Sequence, residues 1–425
     1  MYYIIKGLSV YYNIIMKKNK SFKKLTKNIK KNPVAILIVV FVILAIGLNY
    51  LPQIQQFFRA NPSEAANLIG GGDPSSGGIP YSPSGGVFGP YPWKPTGEES
   101  PLIPVFSILG SRIYDNLIPY VKSMSGPNEV YIYDSDTGES SQLTEQGTHA
   151  RNISVYSNFV VYISDDSHSK VILHNLTNNE KLTIFEESLY EIQVMDADIF
   201  GNIVAISTTN TSTHMGTIYI YKIDAGDLNT ATEITDAYAV DLEIYNDNVV
   251  FSSSNFAYNK SVLYLYKISQ NQLTTITPLN TTYNQSDPSI YKNYVVAIEQ
   301  MPPGIGMGRV VLYNLSNGEK KQITKGSVLG KNDLFQDPYI YGNLIVWSGY
   351  GPSPSGTMQQ YGNIWIYKLP SIIDRIIKTT DTFYLLSPGN YSQRRPIIYK
   401  NTVYWNDARA GQNIWAIYKY VLDNI

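Results

Sequence analysis

From about residue 101 to the end of the chain, apolar positions fall in short runs separated by polar turns, and the runs recur as a unit of four. Runs so short and so rich in Val, Ile and Tyr predict strands rather than helices. One unit reads Asp337-Pro338-Tyr339-Ile340-Tyr341-Gly342-Asn343-Leu344-Ile345-Val346-Trp347, then Asn363-Ile364-Trp365-Ile366-Tyr367. Another runs from Asp287-Pro288-Ser289-Ile290-Tyr291, and the last from Arg395-Pro396-Ile397-Ile398-Tyr399. With the Asn before the second run as a ruler, marks fall at Asn116, Asn158, Asn202, Asn248, Asn293, Asn343 and Asn401, giving seven units spaced 42 to 58 residues apart. That period suits four-stranded propeller blades and exceeds helical and leucine-rich repeats. In the third run aliphatics alternate with aromatics, as in Val130-Tyr131-Ile132-Tyr133 and Ile218-Tyr219-Ile220-Tyr221. Both faces of such a strand are apolar, as expected of a blade stacked between two others.

The pattern predicts an all-β fold, a seven-bladed β-propeller over residues 101–425. The last unit ends soon after its third strand, so the ring needs an outer strand from elsewhere. Leu102-Ile103-Pro104-Val105-Phe106-Ser107-Ile108-Leu109 is the candidate, with Pro104 restricting it to an edge position.

Ahead of the repeats the pattern changes. Residues 1–32 hold nine Lys and no acidic residue, and Met16, followed by Lys17-Lys18, is an alternative start to Met1. An uncharged apolar run bounded by Val34 and Leu51 follows, 18 residues that just suffice to cross a hydrocarbon core. The basic flank precedes it, which predicts a transmembrane signal-anchor over residues 33–51 with a cytoplasmic N-terminus and an exported propeller. A cleaved signal peptide is the rival reading. Residues 52–100 turn Gly, Pro and Ser rich, with Gly70-Gly71-Gly72 and Gly85-Gly86, a composition that predicts a flexible linker.

Composition narrows the chemistry. A net charge of -1 gives no reason to expect a nucleic-acid partner, and the absence of Cys removes disulfides, thiolate metal sites and Cys nucleophiles. The four histidines, His149, His168, His174 and His214, show no metal-ligand spacing, and no nucleophile elbow, zinc-protease motif or phosphate loop occurs. His168 and His174 are expected near the hairpin between the second and third strands of the second unit, in solvent. Asp134-Ser135-Asp136-Thr137-Gly138 resembles the start of a calcium loop but lacks the later Glu, and reads as a hairpin turn. Asp407 and Arg409 read as a charge-paired hairpin. With only eight Arg in the chain no channel cluster stands out. The expectation is therefore a protein without catalytic residues, metal or cofactor, not an enzyme. A hydrolase would instead need two or more carboxylates within about 5 to 10 Å at the channel mouth.

Sequons at Asn152, Asn175, Asn210, Asn259, Asn280, Asn284, Asn314 and Asn390 are candidate N-glycosylation sites of an exported chain. Two long insertions between second and third strands, holding Met301 and Met307 and then Tyr350, Met358 and Tyr361, are candidate partner-binding loops at one rim.

The repeat resembles the TolB-type propeller repeat, in the variant common in archaeal surface proteins. There Pro-x-Ile-Tyr, Asn-x-Val-Val-Trp, Asp-x-Arg-x-Gly and Ile-Tyr follow in order. Residues 396–418 match all four parts, through Pro396, Asn401-Thr402-Val403-Tyr404-Trp405, Asp407 to Arg409 and Ile414 to Tyr418, whereas the second to fourth units lack the Pro. The resemblance implies an architecture and no activity. With the anchor, it suggests a single-pass surface protein of an archaeal cell or virus envelope whose propeller binds a protein or glycan ligand. The alternative is an envelope or surface-layer scaffold.

Overall fold

The computed structural model describes residues 95–423, with breaks at 104–105, 123–126, 235–236, 256–259, 279–281, 301–307, 325–334, 350–361, 371–382, 388–390 and 410–413. The expected membrane span bounded by Val34 and Leu51 lies outside the described residues. Among those described, no helix is long and apolar enough to cross a membrane.

Seven four-stranded antiparallel sheets follow one another along the chain. Blades one to six cover residues 107–142, 150–188, 192–234, 237–275, 284–322 and 335–387, each with its strands paired in chain order from the inner strand outward. Blade seven takes three strands from residues 393–422 and its outer strand from the start of the propeller, where Gly97–Ile103 pairs antiparallel with Ala416–Leu422. The fold expected from the repeat is thus the fold observed.

The closing strand lies a few residues earlier than expected. Of the candidate stretch only Leu102 and Ile103 belong to it, whereas Ser107–Leu109 is already the inner strand of blade one. Polar residues dominate the closing strand because an outer edge is wet on one side, so apolar content misled the reading. Pro101 is accommodated there, where a bulge interrupts the register between Pro101 and Ile103.

The ruler residues occupy a shared position. All but Asn248 follow a residue with positive φ in the two-residue turn between first and second strands, from Asp115 at 54° to Lys400 at 52°. Their carbonyls accept a hydrogen bond from the residue that leaves the third strand, as with Asn158 O and Leu176 N at 2.8 Å or Asn343 O and Leu369 N at 2.7 Å. In blade four this acceptor is Asp247, bonded by Ile268 N at 2.9 Å, so Asn248 is one place late and opens the second strand. The side chain of Asp247 also accepts from Ser269 N at 2.7 Å, a role Asn or Asp fills alike.

Among the described residues seven apolar clusters form, one between each pair of neighbouring blades. Second-strand residues such as Val161, Ile206, Phe251, Ile298, Trp347 and Trp405 are fully buried. The cluster between blades seven and one contains Ile103 of the closing strand with Leu109, Ile118, Ile397 and Ile417. Burying a side chain of that size contributes roughly 1.5–3 kcal/mol, so the closing strand adds packing as well as backbone pairing.

Candidate functional site

Side chains of a strand alternate between faces, so every second residue of an inner strand, and in blade one of the segment that follows Ser107–Leu109, lines the central channel. Read across the blades, three tiers result. The first comprises Gly110, Asn152, Asp196, Asp241, Asp287, Asp337 and Arg395; the second Arg112, Ser154, Asp198, Glu243, Ser289, Tyr339 and Ile397; the third Tyr114, Tyr156, Phe200, Tyr245, Tyr291, Tyr341 and Tyr399.

The first tier stands on β-bulges. The register between first and second strands shifts there in blades two to seven. Asn152, Asp241, Asp287, Asp337 and Arg395 adopt φ between 47° and 52°, a left-handed conformation that Asn and Asp tolerate better than most residues. The turned backbone aims each carboxylate at the next blade. Asp196 accepts from Leu242 N at 2.8 Å, Asp241 from Asp287 N at 3.4 Å and Asp337 from Arg395 N at 3.1 Å, while Asn152 Nδ2 donates to Asp196 at 3.2 Å.

Burial raises three of these acids, Asp196, Asp241 and Asp287. Burial, then the charge of Asp241, pushes Asp196 up to about 7. Burial, then Asp241 and Asp337, pushes Asp287 up to about 7, and burial raises Asp241 as well. Such a set holds protonated and ionised carboxyls side by side at neutral pH, so it can donate and accept protons or hydrogen bonds. Arg395 is exposed beside them.

The second tier carries one cation. Arg112 donates from Nε and Nη2 to both oxygens of Asp198, at 3.1 and 2.6 Å, from Nη2 to the Ile244 carbonyl at 2.7 Å, and approaches Glu243 at 3.4 Å. Asp198 also accepts from Ser154 Oγ at 2.5 Å and Ile244 N at 2.9 Å, and Glu243 accepts from Ile290 N at 2.6 Å. Burial raises Glu243 to about 7 even though Arg112 opposes it. The layer crosses the channel from blade one to blades three and four. In the third tier all seven residues are aromatic, half-buried, and in contact around a closed circuit.

The residues singled out in the sequence are spread elsewhere. His168 and His174 sit at opposite ends of the strand His168–Asn175. His174 is buried with Nε2 2.8 Å from Asn179 Oδ1, which corrects its expected place in solvent; burial lowers its pKa. His149 and His214 are exposed. Asp134 accepts from Asp136 N at 2.9 Å and from Asn116 Nδ2 at 2.6 Å with Gly138 at φ 76°, the hairpin turn expected. Among the described residues no three His, Asp or Glu side chains converge as a metal-ligand set. Asp407 is buried; Arg409 reaches both its oxygens, at 2.9 and 2.7 Å, and extends to Glu99 of the closing strand at 2.5 Å.

Asn152 donates its amide to Met195 O at 3.2 Å within the channel wall. Asn175, Asn210, Asn284 and Asn314 use their side-chain oxygens in turn or strand-end hydrogen bonds. Asn259, Asn280 and Asn390 lie outside the described residues, as do Met301, Met307, Tyr350, Met358 and Tyr361. The ends of the strands that flank both insertions, where Gln300 pairs with Gly308 and Gly349 with Asn363, lie at the carboxylate end of the channel.

Sequence reasoning missed the carboxylate tier. Its signal was present as an acid two residues before four of the seven middle-tier positions, at Asp196, Asp241, Asp287 and Asp337, but only the shared bulge tells that these acids face one channel.

No family model and no curated protein matches the chain. Solved structures do. An oligogalacturonate lyase from Vibrio parahaemolyticus is 11% identical with a TM-score of 0.56, over 76% of this chain and 93% of that one. The β-propeller domain of the Trilobed protease from Pyrococcus furiosus is 9% identical with a TM-score of 0.54, over 74% and 93%. An acylaminoacyl peptidase from Pyrococcus horikoshii is 10% identical with a TM-score of 0.53, over 73% of this chain and 50% of that one. The likeness is one of fold. The Pyrococcus furiosus propeller has an open velcro topology, whereas here Gly97–Ile103 closes the ring.

The expectation that the chain is not an enzyme requires correction. Lyases and peptidases are built on this propeller, and the carboxylates whose lack argued against catalysis are gathered in the channel. Motif absence misled here because the acids lie on four different blades.

Proposed function

We propose that the propeller engages its ligand at the carboxylate end of the channel, and that the ligand is a glycan or a protein segment rich in hydroxyl or amine donors. The observation that carries this reading is the gathering of Asp196, Asp241, Asp287 and Asp337 beside Arg395 on the first tier, with Asp196 and Asp287 pushed up to about 7, at the end where the strands flanking the long insertions stop. Mixed carboxyl and carboxylate groups suit vicinal hydroxyls, and the guanidinium suits an acidic group. The basic segment and apolar run before the linker support a propeller anchored in a membrane and displayed outside it. The resemblance to archaeal surface repeats points the same way.

A second reading is favoured by the acids near neutrality: one carboxyl acts as general acid and a neighbouring carboxylate as base in hydrolysis or elimination on a bound glycan or peptide.

The test uses the full chain in detergent against an array of glycans and peptides, followed by mass spectrometry of every ligand retained. Asp287→Asn with Asp337→Asn should abolish retention without lowering the melting temperature, and any cleavage products should vanish with it. Retention unaffected by the pair would overturn the site. Topology is read separately on intact cells or particles carrying a tag after Ile425. External protease should remove the tag and leave residues 17–31 protected, and a protected tag would overturn the display.

A further inference from the structure

The aromatic tier lies at the opposite end of the channel from the carboxylates. Its circuit closes: neighbouring ring centroids are 4.6 Å apart from Tyr114 to Tyr156, 4.7 to Phe200, 4.5 to Tyr245, 5.1 to Tyr291, 5.0 to Tyr341, 5.1 to Tyr399 and 6.3 back to Tyr114. Neighbouring planes meet at 41° to 59°. Rings that stand upright along a sevenfold axis differ by about 51°, one seventh of a turn, whereas rings lying flat across it would be parallel. The rings therefore stand upright.

Their spacing fixes which way they face. Rings turning their faces to the axis would abut edge to edge, which needs roughly 6 Å between centroids. Six of the seven spacings are 5.1 Å or less, so the rings are fanned, each face against its neighbour's flank and each edge toward the axis. Seven centroids about 5 Å apart define a circle of roughly 6 Å radius, and edge-on rings fill all but roughly 2 Å of that radius, an opening about 4 Å across that passes a water. An extended polypeptide needs about 5 Å. Directly behind the collar, Arg112 places its guanidinium carbon 5.6 Å from the Phe200 ring centroid and ties blade one to Asp198 and Glu243.

We propose that the aromatic collar is a seal that shuts the channel at this end. The other two tiers of the same repeats use several residue types, including Gly, Asn, Asp and Arg in the first, whereas the collar is aromatic in all seven blades. Shared descent of the repeats alone would leave all three tiers equally uniform. Lys292 and Lys400 lean over Tyr291 and Tyr399 at the rim, with Lys400 paired to Asp115 at 2.5 Å. The consequence for recognition, which rests on the reading given under Proposed function, is that a ligand enters from the carboxylate end and is held by a terminus or a side group, never threaded through.

The chain has no Cys, so one introduced thiol reports access cleanly. Ser289 in the middle tier is 3% exposed and is replaced in the full chain as Ser289→Cys. Its rate of modification by a small methanethiosulfonate reagent is compared with and without Tyr245→Ala plus Tyr291→Ala. The seal predicts at least a tenfold faster modification when the two rings are gone, and no change for Tyr245→Phe plus Tyr291→Phe, which keep them. Equal rates with and without the rings would overturn it. If the alanine pair does not fold, Tyr291→Leu, which keeps bulk but not the flat ring, should still accelerate modification severalfold, and an unchanged rate there overturns the seal equally. No ligand enters this measurement, so its failure leaves the carboxylate site standing, and failure of that site leaves the seal.

Discussion

Asp196 shows how a single residue can serve architecture and chemistry together. Its carboxylate accepts the Leu242 amide of the next blade, and burial drives its pKa to about 7. A carboxyl whose folded pKa lies above its unfolded value holds its proton more tightly when folded, so the stability it permits is full at low pH and is lost as pH rises toward 7. Asp196→Asn keeps the acceptor and removes the titration. Denaturant melts should show the variant more stable than wild type by on the order of 2 kcal/mol at about pH 8 and no more stable at about pH 4. Asp407 runs the other way: burial works to raise it, but hydrogen bonds from Arg409 and Gln393 prevail and hold it below the usual range. Its contribution is lost on acidification, so Asp407→Asn should be less stable than wild type near pH 7 and converge with it as pH falls below the carboxylate range. Arg112 is the cation of the middle tier, and Arg112→Ala leaves Asp198 buried without its charge partner. Loss of about 3–5 kcal/mol in equilibrium unfolding is expected, and a loss below about 1 kcal/mol would contradict the ion-pair role.

At the scale of the element, the decisive pieces are the bulged inner strand and the closing strand. Gly97–Ile103 contributes six register pairs with Ala416–Leu422, and Ile103 is buried between blades seven and one. Ile103→Asp places an unpaired carboxylate in that cluster, and its melting temperature should fall by several degrees, reflecting roughly 3 kcal/mol or more. Glu99→Ala, which removes a partly exposed ion pair to Arg409, should change stability by less than about 1 kcal/mol. Strand number, order and blade period were readable because alternation and turn residues are local properties. The closing strand was placed too late because its outer edge lacks an apolar pattern, and Asn248 was mistaken for the turn residue because Asp247 satisfies the same carbonyl and side-chain geometry.

At the scale of the molecule, seven blades packed side by side turn seven weakly informative pentads into three stacked rings of side chains. From Gly110-Ser111-Arg112-Ile113-Tyr114 to Arg395-Pro396-Ile397-Ile398-Tyr399, each pentad reads as an ordinary strand with a terminal aromatic. By itself the sequence determined the blade count, the hairpin turns, the apolar interfaces and the anchor-like N-terminal pattern, because each depends on residues within a few positions of one another. Only the tertiary structure decided that Asp196, Asp241, Asp287 and Asp337 meet at one end of the channel. It also decided that Arg112 spans from blade one to Asp198 and Glu243, and that seven aromatic rings close a circuit. Those contacts join residues 40 or more positions apart, and ring closure brings them together; no local pattern encodes which residues will share an axis.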